Sequence, residues 1–241
     1  MTLLIVGIAA SVAGVIQRVT GLAFVLVLIG PIVLVYGAVE GVTLAVLLAV
    51  IASAFALPSA WQHVDWPRTL WLLGAGLLAA PFGALMTRLL PEPALLFVIA
   101  AMAIVALLGP RLSSPAAALL RGRRGAIVAG AAAGFMHSSS GLSGPALAAY
   151  AVSDRWEQRR FAASAQVIFL GYGLVSVALR GLPASPTWEV VVLGACTAAG
   201  IVGGALLVRV VPVALARAVM LWCAWIGALV VLVRAILAVT A

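Results

Sequence analysis

Lysine is missing from this 241-residue chain, acidic residues number only six, and charged residues of both signs make up 8% of it. A soluble domain carries roughly 25% charged residues, so water is not the main solvent here. Without lysine there is no phosphate-binding glycine loop of the kind that serves ATP hydrolysis, and the apolar stretches hold no paired carboxylates. An ATP-driven pump within this chain is excluded. Cysteine is scarce too. Cys196 and Cys223 lie in apolar runs with no CxxC spacing, so they read as small core residues without a disulfide or metal role. No Lys or Arg precedes the first apolar run, and residues 1–16 are expected to remain in the mature protein rather than leave as a signal peptide. No cofactor is expected.

What the chain does have is apolar surface: 66% of its residues are hydrophobic. They form runs of about 16 to 24 residues, the length that crosses a hydrocarbon core of ~30 Å. Lipid offers backbone groups no partner, so such runs must be helices or a closed barrel. Barrel strands alternate apolar and polar residues, whereas Leu95 to Leu108 is apolar on every face. The fold class is therefore an all-α integral membrane protein in a cell (inner) membrane, with the lipid bilayer as its first partner. The net charge of +8 comes from fourteen arginines. They gather at run ends, as the positive-inside rule requires, and no basic face interleaved with aromatics exists for nucleic acid.

The runs fall at 2–36 (interrupted), 41–60, 69–87, 94–109, 125–153 (interrupted), 161–180, 187–207 and 213–239. Shifting the sequence by 120 residues sets Gly14 on Gly134, Gly21 on Gly141, Leu22 on Leu142, Gly74 on Gly194 and Gly83 on Gly203. One further residue of shift sets Arg88 on Arg209 and Pro91 on Pro212. Residues 1–120 and 121–241 thus read as a duplicated unit forming one structural domain. If 125–153 crosses fully, the arginines outside the breaks divide seven against six, which fits no orientation. If it enters, breaks and returns, Arg68, Arg111, Arg121, Arg123, Arg124, Arg155, Arg159, Arg160, Arg209 and Arg217 share one side, and only Arg88, Arg180 and Arg234 the other. Ten against three marks the cytoplasm. The expectation is two inverted repeats, each an interrupted helical hairpin followed by three transmembrane helices, with both termini on the non-cytoplasmic side.

The two interruptions carry the polar residues. The first runs Gly14-Val-Ile-Gln17-Arg18-Val-Thr20-Gly21-Leu-Ala-Phe24, the second Gly134-Phe-Met-His137-Ser138-Ser139-Ser140-Gly141-Leu-Ser143-Gly144-Pro145. Polar side chains at membrane depth are costly unless they line a cavity. Glycine lets the backbone leave helical geometry, and the helix that resumes points unpaired N–H groups and its positive dipole end at the break. Two such ends facing each other would bind an anion. Gln17, Arg18, Thr20, Gly21, His137, Ser138, Ser139, Ser140, Gly141, Ser143 and Gln166 are the candidate site residues. For the hydroxyls and amides the alternative is local capping of freed backbone. For Arg18 it is snorkelling, for His137 a hydrogen-bonded helix end, and for Gln166 a bridge between two helices. Arg68, Trp66 and Trp71 read as interfacial anchors, and the Gly/Ala stretches at 74–83 and 194–204 as packing surfaces.

One enzymatic signal is present: Gly141-Leu142-Ser143-Gly144 has the G-x-S-G form of rhomboid protease nucleophiles. A serine nucleophile needs a base, rhomboids take theirs from a later membrane helix, and no later helix here holds a histidine. The expectation is that the chain is not an enzyme.

On Gly14 to Phe24, Pro31, Gly134 to Pro145 and the small-residue third segment of each half, the whole chain resembles the TauE/SafE family of sulfite and organosulfonate exporters. The resemblance implies a secondary transporter moving a small sulfur-containing anion out of the cytoplasm. A run of glycines is frequent at the family's first break, where this chain has Gln17-Arg18-Val19-Thr20-Gly21. Another small anion such as a carboxylate, or a membrane scaffold without transport activity, remain the alternatives. A coupling proton or Na⁺ and the oligomeric state are left open.

Overall fold

The computed structural model describes residues 2–108, 120–208 and 210–240. Arg111 and Arg209 of the arginine count, and residues 109–119, lie outside the described residues. Among the described residues the chain forms α1 (Thr2–Thr20), α2 (Phe24–Tyr36), α3 (Ala38–Ala60), α4 (Trp66–Leu89), α5 (Glu92–Leu108), α6 (Gly122–Ser140), α7 (Gly144–Ser153), α8 (Gln158–Arg180), α9 (Thr187–Leu207) and α10 (Val213–Thr240). Six of these are long and apolar enough to cross a membrane: α1, α3, α4, α8, α9 and α10. Their outward faces carry exposed Leu78, Phe82, Leu85, Trp222, Ile226 and Leu229, a surface suited to lipid and costly in water. The protein is an all-α, multi-pass membrane protein.

Both interruptions are present, but they are shorter than the polar rows suggest. Gln17 to Thr20 and His137 to Ser140 are still helical, forming the last turns of α1 and α6; irregular backbone is confined to residues 21–23 and 141–143. The hydroxyls of these last turns bond back to carbonyls one turn earlier, as with Thr20 to Ile16 at 2.8 Å and Ser140 to Met136 at 2.9 Å. The chain then leaves helical geometry at Gly21 and Gly141, with φ of +80° and +77°, where an L side chain would be strained. Each second limb is too short to span: α2 covers ~20 Å and α7 ~15 Å at 1.5 Å per residue.

The limbs return to where they started. Asp154, just after α7, accepts the Gly122 N–H of α6 at 2.8 Å, and Arg121 Nε donates to Ser153 O at 3.1 Å. In the first segment α9 runs parallel to α1, with Gly7 beside Cys196, Gly14 beside Gly200 and Arg18 beside Gly204. Tyr36, ending α2, donates its hydroxyl to Glu189 in the first turn of α9 at 2.7 Å, the level at which α1 begins. Helix bounds in the two halves coincide at a spacing of 120 residues: α1 with α6, and α3 with α8.

Packing crosses between the halves. α1 lies on α9 and α6 on α4, where glycines let backbones touch, while α3 crosses α8 at the centre and α5 pairs with α10. Arg68, expected only to anchor the interface, instead ties α4 to the base of the α6–α7 segment: it is 2.9 Å from Asp65 and 2.8 Å from Asp154. Burial pushes the Asp154 carboxyl up, but the Gly122 N–H and the Arg68 guanidinium outweigh it and hold it below the usual carboxylate range. A carboxyl depressed in the folded state contributes stability above its unfolded pKa and loses it as pH falls through the folded one. The Tm gap between wild type and Asp154→Asn should therefore be largest at neutral pH and close below about pH 4. A gap that stays constant with pH would refute this.

Candidate functional site

The two bends meet. A hypothetical Cβ on Gly141 would lie 2.9 Å from Val25, and residues 22–26 of the first bend share one chamber with residues 141–145 of the second. The chamber measures about 160 Å³ and is walled by Ala49 and Ser53 of α3, His137 of α6, Phe169 of α8 and Met220 of α10, with Gln17 at one end. α2 and α7 both resume at this chamber, and neither has a side-chain cap on its N-terminus. Their first N–H groups and positive dipole ends face the same space. Ala23, the residue before α2, holds φ at +90°, a left-handed conformation that costs an alanine about 1–2 kcal/mol. Strain of this kind collects at ligand sites.

Two polar atoms of the chamber walls are buried without a hydrogen-bond partner, Ser53 Oγ and His137 Nε2. Such a group costs about 1–3 kcal/mol unless something satisfies it. The other ring nitrogen, His137 Nδ1, lies 2.8 Å from Ser143 Oγ, and the ring stacks on Phe169 with centroids 6.5 Å apart. The histidine missing from later helices thus reaches Ser143 from its own segment, six residues back.

Beside the chamber lies a second cavity of about 180 Å³ that Arg18, Ser59, His63, Arg159, Ala162 and Gln166 help to line. Its rim residues Ser59 and Arg159 are exposed, so it is a vestibule open to the surface. Arg18 Nη2 donates to Ser59 Oγ at 2.7 Å, and Nη1 is 3.5 Å from Ala56 O. Among the described residues neither Arg18 nor Arg159 pairs with a carboxylate. Gln17 lines both cavities. Its Nε2 donates to Gln166 Oε1 at 3.1 Å, and Gln166 Nε2 donates to Gly21 O and Ala162 O at 3.2 Å each. The two amides form the partition between vestibule and chamber.

The eleven sequence candidates divide accordingly. Gln17, His137, Gly141 and Ser143 line the chamber; Gln17, Arg18, Gly21 and Gln166 line the vestibule. Thr20, Ser138, Ser139 and Ser140 line neither. Thr20 is 2.7 Å from Leu22 O, Ser138 pairs with Ser176 at 2.8 Å, and Ser139 and Ser140 bond to carbonyls of Phe135 and Met136 at 2.9 Å each. Local capping describes three of these hydroxyls, and a helix-to-helix bond the fourth. Sequence reasoning missed Ser53, Ser59, Arg159 and Arg180. Ser53 had a signal, a hydroxyl midway along the apolar run 41–60. Arg180 ties the end of α8 to α6 and α3: its Nη1 donates to Ser138 O at 3.0 Å and its Nη2 to Val39 O and Thr43 Oγ1 at 3.1 Å.

Spanning helices around two bent segments whose tips share an internal chamber form an arrangement that recurs among secondary transporters. The profile of the family described as "Sulfite exporter TauE/SafE" matches residues 6–231. The chain belongs to that family, which makes it a multi-pass membrane transporter and not an enzyme. Comparison with curated proteins and with solved structures gave no match.

Proposed function

We propose that the protein is a secondary transporter that exports a small sulfur-containing anion, sulfite or an organosulfonate, held between the two bends near the bilayer midplane. One observation carries this reading: two helix N-termini without side-chain caps, those of α2 and α7, open on a single chamber that Gln17, Ser53, His137 and Ser143 also line. That is a constellation of donors for a compact anion. Family membership supplies the sulfur; the chamber's chemistry supplies the negative charge.

Residues 1–120 and 121–241 act as inverted repeats, each a re-entrant hairpin and three crossings, with both termini outside. The arginine asymmetry and the return contacts of Asp154 and Tyr36 support this topology. The vestibule then opens to the cytoplasm. Arg18 and Arg159 gather the anion there, the Gln17–Gln166 pair parts to admit it, and Gln17, Ser53, His137 and Ser143 orient it in the chamber. Release then requires one half to move against the other.

Sulfite or a small sulfonate should raise the Tm of the purified protein, as any ligand of the folded state does. Stabilisation by acetate alone would move the substrate to the carboxylates. Uptake of labelled anion into inverted vesicles separates a carrier from a scaffold. Arg18→Ala should slow that uptake about tenfold, the loss of roughly 1.4 kcal/mol of attraction at the mouth. Unchanged uptake would remove Arg18 from the path.

A further inference from the structure

The chamber contains one ionisable side chain among its lining residues, His137. We propose that His137 is the coupling-proton site, so that an anion and a proton occupy the chamber together and cross together. This rests on the chamber being the anion site.

An anion stripped of water in a largely apolar space needs countercharge. The guanidinium expected to provide it, Arg18, lies across the amide partition and is bonded to Ser59. The two helix ends offer only partial charges. His137 can supply a full one. Its ring is 1% exposed, its Nε2 has no partner, and its Nδ1 meets Ser143 Oγ at 2.8 Å. In the imidazolium Nδ1–H donates to Ser143, which also lines the chamber, and the ring places a full positive charge in the chamber wall, the countercharge the anion lacks.

α3, α4, α5, α7 and α8 pack around α6 and its imidazole ring. From α8, Tyr172 faces it with ring centroids 5.8 Å apart, its hydroxyl committed to Leu72 O at 2.6 Å. Arg180, also from α8, binds the carbonyl of the adjacent Ser138. Among the described residues no acidic side chain faces it from α3, α4, α5 or α7: Glu40 and Glu92 sit at the outer starts of α3 and α5, and the α4 and α7 residues nearby are apolar or glycine. With no carboxylate at hand among the described residues, the anion is the countercharge open to the protonated ring. The proton comes from solvent through the vestibule, binds the Nε2 lone pair, and leaves when the anion does. Coupling of this kind is reciprocal: proton binding strengthens anion binding by the same factor.

Ethanesulfonate is the probe of choice, because it stays singly charged across the range and any pH dependence belongs to the protein. Titration calorimetry in buffers of different ionisation enthalpy should show about one proton taken up per anion by wild type. Affinity should weaken about tenfold per pH unit on the alkaline side. His137→Gln should bind more weakly, take up no proton and show no pH slope. Ser143→Ala, which keeps the imidazole, should retain the uptake with a shifted midpoint. Binding without proton uptake in wild type, or uptake abolished by His63→Gln and not by His137→Gln, would overturn the assignment while leaving the chamber as the anion site. No binding by wild type at any pH would overturn the anion site and this proposal with it.

Discussion

Gly134→Val should yield no folded protein, while Gly74→Val, in the same pair of packed helices, should behave as wild type. Gly134 sits where α6 touches α4, and a Cβ there would run into the Gly76 backbone. Backbone cannot swing aside as the end of a side chain can. Gly130 against Leu72 and Gly83 against Phe135 extend the same contact in both directions, so α4 and α6 would have to separate along several turns. Overpacking a core costs about 1–3 kcal/mol even where side chains can adjust. Here the close approach of two backbones is the source of stability, since apolar burial does not drive helices together in lipid. At Gly74 a Cβ would meet nothing within 4 Å. Size-exclusion profiles and melts of the two variants in detergent test this, and a monodisperse Gly134→Val with an unchanged Tm would refute it.

Arg180→Ala should lower Tm by about 10 °C and loosen the junction of α8 with α6 and α3. The guanidinium holds Ser138 O of α6 and Val39 O and Thr43 Oγ1 of α3. Hydrogen bonds from a charged group contribute about 1.5–3 kcal/mol each. Truncation also leaves a buried carbonyl at the end of α6 unpaired. A net loss of about 3 kcal/mol corresponds to that Tm shift in a protein of this size. Accessibility gives a second readout: buried Ser138→Cys should resist an impermeant thiol reagent with Arg180 present, and react in the Arg180→Ala background. Arg180→Lys keeps the charge but lacks the fork that reaches two helices, and should recover less than half of the Tm loss. Equal labelling in both backgrounds would mean that something else shields this position.

Much of the architecture could be read before any coordinates. The multi-pass helical character follows from apolar runs with few charges, because lipid leaves the backbone no other partner. The bends follow from Gly21 and Gly141, which stand 120 residues apart at matching places and both adopt positive φ. The arginine count favours a return of residues 125–153 to the side they entered, and the Gly122–Asp154 contact, which joins the two ends of that segment, is in keeping with it.

Assignment of single side chains to cavities was less legible. Gln17 and Arg18 are neighbours in sequence, but about 100° of helical rotation separates them, so Gln17 reaches the chamber while Arg18 stays in the vestibule. Thr20, Ser139 and Ser140 looked like ligands because they are polar at membrane depth. Their hydroxyls are taken by carbonyls one turn back or just past the bend, a choice that depends on rotamer and local backbone. Ser53, a hydroxyl midway along an apolar run, carried a weaker signal, yet its oxygen is among the buried polar atoms left unpaired in the described residues.

The membrane as solvent, the helices and the two bends were already fixed by the residues in order, since each depends on composition or local backbone chemistry. Packing between distant helices set the rest: that the bends meet in one chamber, that Arg18 stands outside it and that His137 is the one ionisable residue lining it. Those outcomes depend on helix rotation and on contacts between residues more than a hundred positions apart, and no local pattern encodes either.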